Sequence, residues 1–366
     1  MGYAQVSGLN HLNDQINIMA LVGNGFDIQI LREYEQTTTT RYADFYHFMK
    51  MKNVDDGNLI VGEMESALKK GRENWSDIEE CIASLEAARE PIAEIRRSLD
   101  EVREHFSEFL NMVVSTSLLA EVSSDAQSNR WGRASLSKFL KDIESREDLE
   151  RIPFGLKKAN YDLYNFYFVN FNYTSLLDNY LYMDSEQFDP VPYSTVDTNF
   201  TFEADPRGLA LDKWDYASSS YVEMQVAHPH GYQDIPRSLL FGTNGDGDPR
   251  SPGAKLAKTY WARVEQRYAH LFDDTSLFIV FGCSLGKTDE WWWKNIADAL
   301  LKDEKRALLL YWWNADSSSK LAEDDVRRKF LKAAGLKRAE RDAISEQIVV
   351  ISYADSDDRT WLNSRR

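Results

Sequence analysis

Gly23-Asn24-Gly25-Phe26-Asp27 follows an apolar run and opens a helical pattern. In that place glycines let the backbone approach a bound pyrophosphate, and the free amides of a helix N-terminus favour the anion. Ile28 stands where the third glycine of a G-x-G-x-x-G fingerprint would fall, so the segment alone suits a structural turn as well as a phosphate loop. Phe281-Gly282-Cys283-Ser284-Leu285-Gly286-Lys287-Thr288 has three residues between its glycines, where a P-loop has four. The shorter cradle would not bring Lys287 to the β and γ phosphates, which argues against an ATPase. The segment still falls at a strand-to-helix junction, where open α/β sheets bind ligands. In His228-Pro229-His230-Gly231, His230 sits beside a glycine just after a strand. That suits an acid/base group facing a pocket better than a metal ligand, because the chain has only six histidines and no cysteine nearby. No metal site is expected. Asn244, Asp246 and Asp248 imitate a calcium loop, but Pro249 replaces its glycine and Lys255 its bidentate glutamate. Trp291-Trp292-Trp293 cannot all face one way on a helix, so core packing with one exposed ring is expected.

These residues need elements to position them. Short apolar runs occur at 16–22, 167–171, 277–281, 307–312 and 347–352, with weaker ones at 222–227 and 238–241. Continuous apolarity, without alternation, marks strands covered on both faces. Helical patterns over 175–183, 289–301 and 322–336 separate several of them. The pattern predicts an α/β, Rossmann-like domain with a mostly parallel sheet. From Ile78 to Val113 apolar residues recur at spacings of three and four, with Pro91 marking a kink or restart. This helical stretch is either a cap packed on its own domain or an arm for self-association. The expected organisation is residues 1–50 as the first part of the sheet domain, 51–160 as a large helical insertion, and 161–366 as the remainder. Residues 123–128, 184–205 and 242–253 are the most loop-like.

Composition narrows the partners. Forty-three Lys and Arg against 59 Asp and Glu give a net charge of −16, which disfavours a broad nucleic-acid surface. Cys81 and Cys283 cannot build a disulfide framework or a cysteine zinc site, and they fit a reducing compartment. No apolar run reaches the roughly 18 residues of a membrane span, and the first residues lack a signal-peptide pattern. A cytoplasmic protein with no membrane partner is expected.

The order of several segments resembles the AbiH family of phage abortive-infection proteins. They are Leu21-Val-Gly-Asn-Gly-Phe-Asp27, Tyr42-Ala-Asp-Phe45, Asn74-Trp-Ser-Asp-Ile-Glu79, Phe171-Asn-Tyr-Thr174, His230-Gly231 with Phe241-Gly242, and Phe281-Gly-Cys-Ser-Leu-Gly-Lys-Thr-Asp289. Before Tyr42 the chain reads Glu-Gln-Thr-Thr-Thr-Thr-Arg in place of the family's Gly-Leu-Pro-like stretch. AbiH in turn resembles the sirtuin-like NAD-binding domains of bacterial antiviral defence. That resemblance implies Gly23 and Gly25 in a phosphate loop and Asn172 near the nicotinamide ribose. It implies His230 as the catalytic histidine, with Gly282, Ser284 and Asp289 on a nucleotide-side loop. Asn24, Phe26 and Asp27 fall within the first of these loops. Three residues depart from the sirtuin-like pattern: Asn24 stands for alanine, Asp27 for serine, and Thr174 for the aspartate after Asn172-Tyr173.

The function implied is an antiphage effector that hydrolyses NAD at the nicotinamide–ribose bond, with no cofactor required and NAD as substrate or ligand. His230 would accept a proton from a ribose hydroxyl or water, and Asn172 would position them. A catalytically silent nucleotide-binding sensor or assembly module is the alternative, and a defence nuclease the second. Self-association through the helical insertion, a phage-derived trigger and a second defence protein complete the expected partners.

Overall fold

A computed structural model describes residues 2–3, 12–54, 57–157, 159–182, 200–209, 217–243, 256–258, 262–314, 323–355 and 357–365. Strand β1 (Gln15–Val22) leads directly into helix α1 (Gly25–Glu33). A helical excursion follows: α2 (Tyr42–Met51), α3 (Leu59–Lys69), α4 (Ile78–Ala87), α5 (Ile92–Val113), α6 (Thr116–Asn129), α7 (Trp131–Lys138) and α8 (Arg146–Arg151). The chain returns through β2 (Leu163–Asn170) and α9 (Leu176–Leu181), then an antiparallel pair, β3 (Thr201–Glu203) and β4 (Ala217–Ser219). It finishes with β5 (Tyr221–Ala227), α10 (Val264–Asp274), β6 (Leu277–Phe281), α11 (Glu290–Lys302), β7 (Ala307–Trp313), α12 (Glu323–Ala333), α13 (Arg338–Ile344) and β8 (Ile348–Tyr353).

Six strands form one parallel sheet in the order β5-β2-β1-β6-β7-β8. Counting only these strands along the chain, the order is third, second, first, fourth, fifth, sixth, that of doubly wound dinucleotide-binding folds. The expected Rossmann-like α/β class is therefore present. The winding reverses between β1 and β6, and a crevice opens there at the strands' C-terminal ends. Ile18, Ala20, Phe166, Phe168, Ile279 and Leu309 point to one face; Met19, Leu21, Tyr167, Val169, Val280 and Leu310 point to the other. Helices α10 to α13 pack on the second face. The inner strands are covered on both faces and read as nearly continuous apolar runs, whereas edge strand β5 alternates, with Val222, Met224 and Val226 on the core side and Glu223 and Gln225 on the other.

Among the described residues the helical excursion has no core of its own. Its buried side chains are continuous with those on the first face of the sheet. Pro91 is the N-cap of α5, so the helix restarts there. The apolar seam from Ile78 to Val113 is turned inward: Ile82, Ile95, Val102 and Phe109 have no exposed surface. Phe106 packs edge-on against Tyr173 and Phe241, at centroid distances of 5.2 and 5.1 Å. The seam is thus buried within the chain.

Two expectations of local structure are corrected. Residues 123–128 belong to α6, because Leu118, Val122 and Ala126 form a buried stripe at helical spacing. Residues 238–241 are not a strand: Pro236 starts a single 3₁₀ turn ending at Ser238, and Leu239 and Phe241 are buried without a ladder. Of the tryptophan run, Trp292 and Trp293 are buried and Trp291 is half-buried, donating to Glu265. The imitation calcium loop at 244–255 and most of 184–205 lie outside the described residues. Among the described residues no helix is long and apolar enough to cross a membrane.

Residues 357–365 cross the first face of the sheet. Trp361 is fully buried, its ring nearly parallel to Phe168 at 5.9 Å. Asp142 accepts from the backbone N–H of Thr360 at 2.6 Å, from that of Trp361 at 2.8 Å, and from the Tyr311 hydroxyl at 3.0 Å.

Candidate functional site

The loops after β1 and β6 lock together through glycine. The Gly23 N–H donates to the Phe281 carbonyl and the Gly25 N–H to the Gly282 carbonyl, each at 2.9 Å. A Cβ on Gly23 would lie 2.7 Å from the Gly282 oxygen, and one on Gly25 would lie 2.7 Å from the Gly282 Cα. Gly282 itself has φ +67°, which favours glycine. Two amides expected to cradle a phosphate are therefore already engaged, and these glycines serve loop-on-loop packing.

Asn24 and Asp27 are each tied to another loop of the chain. Asn24 Nδ2 donates to the Thr40 carbonyl at 3.2 Å, and the Thr40 hydroxyl donates back to Asn24 Oδ1, so Asn24 is tied to the unusual threonine loop. The Thr174 hydroxyl donates to Asp27 Oδ2 at 2.7 Å, leaving the buried Oδ1 without a partner. Burial pushes the Asp27 carboxyl up to about 7, against the Thr174 hydrogen bond and with help from Asp178.

Asn172 and His230 leave neighbouring strands, β2 and β5, and meet in one cleft. Asn172 is 3% exposed, and neither Oδ1 nor Nδ2 of its amide has a partner. An orphaned amide is costly inside a protein, and here it lines a cavity. The His230 ring stacks on Phe171 at 5.0 Å and places Nε2 3.5 Å from Asp289 Oδ1. Burial, with nearby Lys258, holds His230 well below its ordinary value, so the ring is neutral at pH 7. Burial lifts the Asp289 carboxyl, while Lys258 opposes it.

The helical excursion supplies the opposite wall. Lys258 Nζ meets Glu79 Oε1 at 2.8 Å, both side chains being buried, and the Tyr42 hydroxyl donates to the same oxygen at 3.3 Å. Burial works against the Lys258 charge, yet Glu79 and Asp289 outweigh it and hold the ammonium above its ordinary value. Asp77, at the N-terminus of α4, is pushed up to about 7 by burial and by Glu79. The cleft encloses about 1060 Å³, at the upper end of what small-molecule sites use.

Gly23, Asn24, Asp27, Asn172, His230, Gly282, Ser284 and Asp289 all line this cleft. Gly25 and Phe26 do not: Gly25 abuts Gly282, and Phe26 is fully buried against Tyr180. Tyr42, Glu79 and Lys258 went unassigned in the sequence. Tyr42 and Glu79 lie in segments that the family resemblance singles out, whereas nothing in the sequence around Lys258 signals its place. His228 is turned away from His230, toward Asp178 and the Asn172 carbonyl. Among the described residues, no group of three or more His, Cys, Asp or Glu is placed to hold a metal ion.

The model of the family described as Bacteriophage abortive infection AbiH matches residues 19–311. The chain belongs to that family, and with it to bacteriophage abortive infection. No curated protein matches it.

Proposed function

We propose that this member of the AbiH family acts in abortive infection by hydrolysing NAD at the nicotinamide–ribose bond in the β1–β6 cleft. The observation that carries the proposal is the Asn172 amide, buried and unpartnered beside a neutral His230 that faces Asp289. Breaking this bond builds positive charge on the sugar, as glycoside hydrolysis does. Asn172 orients the ribose hydroxyl and the attacking water, and His230 takes the proton that water loses. Asp289 then stabilises the imidazolium. Nicotinamide leaves as a neutral ring, so water and the NAD cation become ADP-ribose, nicotinamide and one proton. Since the Gly23 and Gly25 amides are engaged, the pyrophosphate rests along the 282–289 loop instead.

Purified protein incubated with NAD should release nicotinamide, and His230→Ala and Asn172→Ala should each reduce the rate by about a hundredfold or more. No release by the wild type in any oligomeric or activated state would defeat the hydrolase proposal. Wild-type rates in His230→Ala would reject the residue's role even if turnover is seen. The engaged glycine amides favour a second possibility, a silent nucleotide sensor. It predicts binding of NAD or ADP-ribose without turnover.

A further inference from the structure

Asn172 can aim its amide into the cleft only if its own backbone stays still, and two side chains hold it. Asn170 Oδ1 accepts from the Asn172 N–H at 3.0 Å, while His228 Nδ1 lies 3.2 Å from the Asn172 carbonyl oxygen. On the far side of the ring, Nε2 lies 3.0 and 3.2 Å from the two Asp178 carboxylate oxygens. A carbonyl oxygen and a carboxylate both only accept, so Nδ1 donates to the Asn172 carbonyl and Nε2 donates to Asp178. The His228 side chain has no exposed surface and stacks on Tyr232 with centroids 3.8 Å apart. It does not line the cleft, and it leaves the amide of Asn172 untouched.

We propose that His228, oriented by Asp178, is a positioning residue that clamps the Asn172 carbonyl and so presents the amide to the ligand. The proposal rests on the role given above to Asn172. A carboxylate that fixes a histidine, which in turn fixes a group acting on substrate, is a known way to secure geometry at a site. Here the held group is a main-chain carbonyl, and the ring itself exchanges no proton with the substrate. Misplacing a reacting or orienting group by about 1 Å can cost about a hundredfold in rate, so a clamp of this kind is worth its burial.

Two substitutions separate the clamp from mere packing. In His228→Asn the amide nitrogen stands near the Nδ1 position and still reaches the Asn172 carbonyl. In His228→Gln the amide extends to the Nε2 position, keeping Asp178 and losing Asn172. Both lose the ring and its stacking on Tyr232. The clamp predicts that kcat for nicotinamide release falls about a hundredfold in His228→Gln, with KM within about twofold, while His228→Asn stays within about tenfold of wild type. Equal losses in the two variants would overturn it. Hydrogen exchange of residues 170–174 supplies a readout free of turnover. Exchange faster in His228→Gln than in His228→Asn supports the clamp, and identical exchange overturns it. If the wild type releases no nicotinamide, the hydrolase proposal fails, and the exchange experiment still decides the clamp.

Discussion

Asp27 offers the sharpest test of the electrostatics of this cleft. Its side chain is 1% exposed, and its carboxyl is pushed from 3.8 to about 7, chiefly by burial. Between those values the folded chain keeps a proton that the unfolded chain has released, so stability falls as pH rises through this window. At about 1.36 kcal/mol per unit, keeping this group folded costs about 1.5 kcal/mol at pH 5 and about 4 kcal/mol above pH 7. Asp27→Asn is neutral throughout and keeps an oxygen to accept from Thr174. Its stability relative to wild type should therefore rise by about 2.5 kcal/mol between pH 5 and pH 8. Comparing the two chains at each pH cancels the other titrating groups, provided they do not couple to Asp27. Denaturant unfolding followed by tryptophan fluorescence at both pH values measures the difference. Parallel pH profiles would refute the reasoning, and so would a variant less stable than wild type at pH 8, since the carboxylate would then be the favoured folded form.

Three further outcomes follow from the same geometry. Burial holds His230 well below its ordinary 6.5, so its contribution to stability is intact at neutral pH and is lost as pH falls below about 6.5; His230→Gln should remove that part of the acid sensitivity, seen as a flatter midpoint-against-pH curve. Lys258→Met or Glu79→Gln alone leaves one buried group without its ion-pair partner and should cost about 3–5 kcal/mol; the double variant should cost clearly less than the sum in the same denaturation assay. Thr174→Asp alone sets two carboxyls against each other and should lose about 2 kcal/mol or more; adding Asp27→Ser restores one hydroxyl and one carboxyl and should recover most of the loss in thermal melts.

Much of the architecture could be read directly. Strands β1, β6, β7 and β8 are legible because each is covered on both faces and bounded by turn residues. β2 begins earlier than its apolar core suggests, at Leu163, because Tyr164 and Asn165 are buried despite their polar groups. Asn172 and His230 were paired in the sequence only through the resemblance; in the fold they meet because each follows the end of a strand and such ends converge in parallel sheets. What escaped was pairing across long sequence separations. Asp27 and Thr174 stand 147 positions apart and look unrelated until their contact is seen. Heptad spacing from Ile78 onward reports a buried stripe without saying whose surface buries it. Lys258 shows no chemistry in sequence, because its role depends on Glu79 arriving from α4.

The segment that carries Trp361 bears on where this protein can be cut. The family match stops at residue 311, inside β7. A fragment ending there would lose β8 and turn β7 into an unprotected edge, open to pairing with other chains. It would also bare Phe139, Phe166 and Phe168, which Trp361 covers, and remove the backbone donors that Asp142 holds. The stretch that the family model matches is thus shorter than the six-stranded sheet domain it belongs to. During synthesis the same face stays uncovered until residues 359–364 emerge, long after the cleft residues have been made.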